Sequence, residues 1–536
     1  MATATERHGK VSSIVAAENS IELDEMQSTV PKRYQGAEED KEEMKALGRL
    51  QELRRNFTFI TILGFGSTLI CTWEVVLATL SSVLTNGGTA GLFWGYVIVV
   101  AGFLLVYASL AEMASMAPTS GGQYHWVSEF APPHAQRYLS FLTGIPRFSS
   151  AACLDSGLTG IAYMAGTIIQ GLIVLNDDNY TFQAWHGTLL VIAISSFAVF
   201  FNTVVAAKLP LVEGLVVMIH ILGLFAIIIV LWALAPRNNA HDAFLQFTNN
   251  GGWSSTGTSL LVGLYPLIVS LLGFDSAVHM SEEVLSASRT LPAAIMWSFA
   301  LNVLLGLTMI ITLIFTWGDM TEIASTATGY PFLQIFIDVT NSLGGTNGMT
   351  CLIIIPLTAS CVAVVATASR QIWAFARDNG VPFSPLIAKV HPRWNIPVNA
   401  VLISLVTTSL LSLINIGSSV ALNAILSLNC ASLLGSYLTC ITCLVIKRLR
   451  NEPLPPRPWS LGRWGLAVNI GALCWLLPIF VFTMFPGVTP VEPTTMNWGS
   501  LLFAFMVIFS TSYYVFWGRK VYTSPKERLR RNDPEE

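Results

Sequence analysis

The sequence predicts an all-α, polytopic membrane protein of about twelve transmembrane helices, on three observations. Charged residues make up 11% of the 536 and hydrophobic residues 53%, whereas a soluble domain carries about 25% charged residues. Mean hydropathy is +0.59. The apolar residues also fall in blocks of roughly 20, the length of helix that crosses a bilayer, and not in the alternating segments of about ten that make an outer-membrane barrel.

The elements follow in chain order. Residues 1–56 hold charge, Ser and Thr but no apolar block, so they read as a largely disordered cytosolic tail without a signal peptide. Within that tail, Glu38 to Arg55 is expected to form a polar helix leading to the membrane. Residues 57–517 are the transmembrane domain. Its spans are Phe57–Leu84, Gly91–Met113, Tyr138–Leu175, Gly187–Ala206, Leu211–Leu234 and Ser259–His279, then Ala293–Thr316, Met349–Phe375, Val398–Ile414, Leu422–Ile446, Leu466–Phe485 and Trp498–Trp517. The third is too long for one straight crossing. Residues 518–536 form a short basic cytosolic tail.

Charge sets the orientation. With the amino terminus in the cytosol, all 29 Lys and Arg except Arg237 and Arg147 fall on the cytosolic side, as the positive-inside rule requires. Both termini are then cytosolic and the number of crossings is even. Asn179-Tyr180-Thr181 is a glycosylation sequon in the outer loop after the third span. All eight Cys lie within spans, away from loops where a disulfide forms, and the C-x-x-C of Cys440 and Cys443 has nothing beside it to complete a metal set. No metal or other cofactor is expected.

Lipid offers no hydrogen bonds, so an unwound stretch at membrane depth survives only inside the protein or beside a watery cavity. Glycine-rich interruptions therefore mark function. Gly64-Phe65-Gly66-Ser67 interrupts the first span and Gly273-Phe274-Asp275-Ser276 the sixth. Two broken helices at corresponding positions mark an inverted-repeat secondary transporter. The amides freed at such breaks suit a carboxylate and the freed carbonyls an ammonium. The alternative is that these glycines only let helices pack closely.

Charges inside the membrane are costly and point to function. Asp275 lies in the sixth-span break, as a binder of a substrate amine or carrier of a coupled proton. Glu74 is eight residues beyond Gly66, roughly 12 Å along the helix, and is expected near the outer mouth, as a cation attractor or outer gate. His220 in the fifth span titrates near neutral pH when unperturbed. These three are the proton-coupling candidates.

The segment from Leu110 through Glu112, Pro118, Gly121 and Gly122 to Trp126, LAEMASMAPTSGGQYHW, resembles the signature of the amino acid–polyamine–organocation permeases, in particular their fungal amino acid/choline/GABA permease group. Phe201-Asn202-Thr203, Leu209-Pro210-Leu211-Val212-Glu213-Gly214, the string from Gly273 to Glu283 and the string from Ala366 to Asp378 are similar to it as well, so the resemblance covers residues 50–520. It implies a leucine-transporter-like fold, in which helices 1–5 and 6–10 are inverted repeats and helices 11 and 12 are appended. It further implies that Gly64, Phe65, Gly66, Ser67, Gly273, Phe274, Asp275 and Ser276 bind substrate, with Phe274 as a lid, and that His220 stands where relatives have a lysine. Pro118–Trp126, with Gly121 and Gly122, would form part of the inner gate, and Glu112, Arg370, Glu282, Glu283 and Arg289 supply candidate gate pairs.

One stretch departs from the group. Gly144 is followed by Ile145-Pro146-Arg147, and Pro kinks a helix; Arg147 and Asp155 lie roughly 12 Å apart on one face, too far to pair. Segment 145–155 is either a mis-joined exon or a real variation. The implied activity is proton-coupled, alternating-access transport of an amino acid, GABA, choline or polyamine, with Phe65, Trp73 and Phe274 available for a quaternary head. The alternative is a nutrient-sensing homologue with little transport. An enzyme would need converging His, Asp or Ser sets, and the eight His are scattered. The plasma membrane is the expected location and the vacuolar membrane the alternative, the partners being the lipid bilayer and a ubiquitin ligase acting on Lys10, Lys32, Lys41 and Lys45, with no nucleic acid.

Overall fold

The computed structural model describes residue 30, residues 34–144, the backbone of 151–155, residues 156–318, residue 323 and residues 326–527. Among them, twelve helices are long and apolar enough to cross a bilayer. They are α1 (Phe59–Ala78), α2 (Gly88–Met116), α3 (Ser156–Asn176), α4 (Ala184–Thr203), α5 (Leu209–Leu234), α6 (Thr256–Glu283), α7 (Ala287–Thr316), α8 (Leu343–Arg377), α9 (Val398–Gly417), α10 (Ser419–Leu449), α11 (Gly465–Phe482) and α12 (Gly499–Tyr513, continued by the π-helical turn Tyr514–Gly518).

Each helix presents to the bilayer the face its apolar residues dictate. On α5, Leu211, Leu215, Met218, Leu222, Phe225 and Ile229 are exposed, a stripe at helical spacing that lipid covers at no cost. Its opposite face buries Glu213, Val216, His220, Leu224, Ile227 and Leu231. A polar residue on the buried face of a lipid-embedded helix is where function is to be sought.

The broadest packing joins α2 to α7, α3 to α8 and α4 to α9. These are the pairs that two five-helix repeats, counted from α1 and from α6, place in equivalent positions. The two repeats are also stitched through the backbone where α1 begins and α6 ends. Phe57 N donates to Glu283 O and Leu285 N donates to Phe57 O, both at 3.0 Å. At the other ends of these helices, Asn86 and Asn249 form an antiparallel bridge. α11 and α12 lie outside the repeats, both against α10 and α11 against α2 as well.

In the third span, read as too long for one straight crossing, the described helices are Gln136–Gly144 and Ala151–Asn176. Residues 145–150, with Arg147, lie outside the described residues, as does the Asp155 side chain. In the amino-terminal segment the helix is Glu38–Ala46, ending well short of Arg55. Residues 47–57 run irregularly because their polar groups find partners in the protein. Arg49 donates to Asp378 at 2.6 Å, and Gln51 donates to Glu282 O at 2.8 Å. Thr523 N donates to Asp378 O, so both tails meet one face, called here the tail-side face.

Candidate functional site

Both helices expected to break do so, but the first breaks elsewhere. α1 is helical from Phe59 to Ile70, and Gly64, Phe65, Gly66 and Ser67 lie inside that helix. The interruption is Cys71, left-handed at φ 48°, after which the helix resumes at Thr72. In the membrane no water competes for the backbone, so a helix runs through glycine unless neighbours offer replacement partners. They do so at Cys71: Ser360 of α8 donates to Leu69 O, and the Cys71 thiol donates to Thr68 O at 2.8 Å. Gly66 instead allows close approach to α7, while Gly64 leaves room for a methyl group. A Cβ on Gly64 would lie 3.6 Å from the Glu213 carbonyl of α5, and one on Gly66 would lie 3.2 Å from Ser298 Oγ of α7.

α6 breaks where expected. Its helical part ends at Val269, Gly273 has φ 114°, and Phe274–Glu283 is a 3₁₀ helix. Tyr107 of α2 holds the break, its hydroxyl donating to Leu271 O at 2.7 Å and accepting from Gly273 N at 3.0 Å. The two breaks touch, for a Cβ on Gly273 would stand 3.1 Å from Ile70 Cδ1.

Around this junction, Phe274 is fully buried. Its ring meets Tyr107 at 5.2 Å and Phe299 at 5.5 Å, both edge-on. Asp275 is buried and accepts from Gln123, at the start of the Gln123–Phe130 helix, and from Tyr437 of α10. It therefore ties the loop after α2 to α10 through the α6 break. Ser276 is half-buried, its amide bonded to Gly273 O.

Glu74 is not at the outer mouth. It stands three residues past Cys71, fully buried, with its Oε1 2.7 Å from His220 Nδ1. The break at Cys71 turns this side chain inward to α5, and Trp73 stacks over the same imidazole at 5.9 Å. Two proton-coupling candidates are thus one pair, 0% exposed on both sides. A third acid, Glu213, lies on the same face of α5 two turns earlier, also fully buried. The sequence places it in a quoted motif without a role, and only its neighbours reveal that it faces inward.

On the tail-side face the candidate gate residues separate. Arg370 pairs with Glu283 at 2.8 Å, and Arg377 pairs with Glu282, joining α8 to the end of α6. Arg377 lies over the Trp373 ring at 3.7 Å. Arg289 is exposed at the start of α7 and is not part of this cluster, because the preceding residues turn it outward once Ser286 adopts a left-handed φ of 49°. Glu112 does not face these pairs either. It is clasped by Arg448 and Arg457, with Leu461 N donating at 3.2 Å, and fastens the loop after α10 to α2. Gly122 is left-handed at φ 55°, and a Cβ there would meet His279 Cε1 at 2.5 Å; His279 in turn bonds Ser120 O. Gly121 lies under the Tyr124 ring.

The amino-terminal segment, read from sequence as a largely disordered tail apart from a polar helix, instead caps this face over residues 34–56. Beyond Arg49–Asp378, Arg55 pairs with Asp40 at 3.2 Å, and Asp40 accepts from Ser286 N at 2.8 Å. His125, outside the spans, is pushed down to about 4 by burial, with the Arg49 charge adding to it. On the opposite face a cavity of about 220 Å³ is lined by Ser82 and Asn86 beyond α1, Tyr265 of α6, and Asn423 and Ser427 of α10. Asn179 is exposed on a loop of that face. Among the described residues no three His, Cys, Asp or Glu come together to hold a metal.

Residues 57–509 match a family model described as amino acid permease. The chain is similar to a choline transporter of Saccharomyces cerevisiae, 29% identical over 89% of this chain and 84% of that protein. It is also similar to a GABA-specific permease of the same yeast, 28% identical over 92% and 87%, and to an amino-acid permease of Arabidopsis thaliana, 27% identical over 90% and 95%.

Proposed function

The chain belongs to the amino acid permease family, and from that premise we propose that it carries a small amine-bearing solute, GABA, an amino acid or choline, by proton-coupled alternating access. It is an integral membrane transporter and not an enzyme. The observation that carries the proposal is the contact between the two interruptions, Cys71 of α1 and Gly273 of α6, with Ile70 packed against Gly273. Peptide groups released at two touching breaks offer donors and acceptors within one solute's reach, in a place where lipid supplies neither.

Binding and gating follow from the chemistry. The solute's amine is drawn to the break carbonyls and to Asp275, whose oxygens are already held by Gln123 and Tyr437. A cation competing for Asp275 loosens those two bonds, and with them the hold of the loop at 118–123 on α10. Phe274, in contact with Tyr107 and Phe299, closes over the solute from α6. The aromatic faces of this cluster also suit a quaternary ammonium, which keeps choline within the class.

The tail-side face is taken as cytosolic from the distribution of Lys and Arg. On that assignment the state described is shut toward the cytosol by Arg370–Glu283, Arg377–Glu282 and the capping segment, with the 220 Å³ cavity on the outer side. Glu74 and His220 together form one proton-exchanging pair, and Asn179 is available for glycosylation. Placement in the plasma membrane would leave exposed Lys45 for ubiquitin attachment; Lys41 is paired with Glu38 at 2.9 Å, and Lys10 and Lys32 lie outside the described residues.

The test is a radiolabelled uptake panel in a permease-deficient fungal strain, covering GABA, choline, putrescine and neutral and basic amino acids, with pH and sodium varied. Saturable uptake of one class, faster at acid outside pH and indifferent to sodium, is the expected result. Failure to move any of them by protein shown to reach the membrane overturns the proposal.

A further inference from the structure

We infer that Glu213 of α5 is a proton-binding site of the transport cycle, protonated in the state described and separate from Asp275 and from the Glu74–His220 pair. The inference rests on the proton-coupled reading above and assigns one of its protons to an atom.

Its basis is a hydrogen-bond count. Glu213 is 0% exposed, and among the described residues its Oε2 has Thr68 Oγ1 of α1 as partner while its Oε1 has none. Thr68 has one hydroxyl proton. That hydroxyl also lies 3.0 Å from Gly64 O of its own helix, the back-bond that a Thr in a membrane helix makes to the carbonyl four residues earlier. If Thr68 donates to Gly64 O, it can only accept from Glu213, and a carboxyl group donates only when protonated. The chain Glu213 O–H to Thr68 Oγ1, and Thr68 O–H to Gly64 O, satisfies every donor with one proton each. An ionised Glu213 would instead leave a full charge in the protein interior with one neutral hydrogen bond, the arrangement that desolvation penalises most.

Among the described residues, no cation is found facing Glu213. The ionisable group of α1 facing Glu213 is Cys71, which has Glu74 and Cys361 of α8 as its other neighbours; His220, two turns on along α5, is engaged with Glu74 at 2.7 Å. On α7, Ser298 lies against Gly66 of α1, and Arg289 is exposed. Lys208, before α5, is exposed as well.

The site is also placed to follow the motion. Thr68 belongs to the half of α1 before Cys71, whose left-handed residue is a ready hinge. When that half swings from α5, Glu213 loses its acceptor and gains water. The O–H bond then breaks, the proton passes to water, and the carboxylate remains. Return of α1 requires the carboxylate to take up a proton again, so each closure carries one proton.

The test uses the full-length protein in nanodiscs and in liposomes. Infrared difference spectra between wild type and Glu213→Gln at neutral pH are expected to contain the C=O stretch of one protonated carboxylic acid. Loss of carboxylate bands alone overturns the inference. Thr68→Val, which removes the hydroxyl and keeps the shape, is expected to shift that acid band; a band unmoved by it also overturns the assignment, and this arm stands should Glu213→Gln fail to fold. In liposomes loaded with a pH dye and offered radiolabelled GABA, choline or neutral amino acids in turn, Glu213→Gln should move fewer protons per solute than wild type. An unchanged proton count, or a wild type that moves solute with no protons, overturns the coupling role. A wild type that moves none of these solutes refutes the proposed function, while the infrared arm still decides whether Glu213 holds its proton.

Discussion

Replacing Gly273 by Ala probes the α6 break directly, and replacing Gly64 by Ala probes where α1 breaks. At Gly273 the backbone has φ 114°, a region that side chains enter at a cost of about 1–3 kcal/mol. The new Cβ would also stand 3.1 Å from Ile70 Cδ1. The chain relieves that strain by leaving the unwound conformation, so the population competent to bind falls by about 5- to 150-fold and the apparent KM rises by the same factor. Gly64, by contrast, is helical and its Cβ would make an ordinary 3.6 Å contact with Glu213 O. Ala there gains helix stability of about 0.5–1 kcal/mol, so the melting temperature holds or rises and KM changes by less than about twofold. Uptake kinetics of the transported solute, normalised to protein in the membrane, together with thermal unfolding in detergent, read both variants. If Gly64→Ala damages uptake as much as Gly273→Ala, α1 breaks at 64–67 after all and the geometry at Cys71 is wrong.

Three further outcomes are expected. Glu283→Gln leaves the buried Arg370 without its counter-charge, a loss of about 3–5 kcal/mol for a buried pair; backbone amides of 118–130 and 274–283 should exchange deuterium faster, and the exchanged pair Glu283→Arg with Arg370→Glu should restore part of the protection. Asp275→Asn cannot accept from both Gln123 and Tyr437 with the strength of a carboxylate, so uptake should fall by at least about tenfold while its pH dependence flattens; an unchanged pH dependence removes Asp275 from proton coupling. His125 is held at about 4 in the folded protein against an ordinary value of about 6.5, so the unfolded chain binds its proton first as pH falls. Stability is therefore full above about pH 6.5 and declines toward pH 4 by on the order of 3 kcal/mol; His125→Gln should flatten the melting temperature over that window, and an equally steep profile in the variant refutes the assignment.

Composition and block length alone determined that the chain is a helical membrane protein, because a bilayer tolerates only apolar helices about 20 residues long. They also placed twelve spans with ragged ends, the third of them, Tyr138–Leu175, too long for one straight crossing. Gly273 was legible as a break because a residue at φ 114° all but requires glycine. The α1 break was not, since Cys71 has no preference for a left-handed backbone, and what unwinds it is Ser360, 289 positions away in the chain. Pairing likewise belonged to the tertiary structure. Intramembrane Glu74 and His220 could each be picked from the sequence as costly groups, but the kink at Cys71 decides that Glu74 turns toward His220. Glu112, Glu282, Glu283 and Arg370 looked like one pool of gate charges, and packing sorted them to separate partners. Local chemistry sets which segments can lie in lipid and which backbone angles are open; contacts between distant helices decide which of those options the chain adopts.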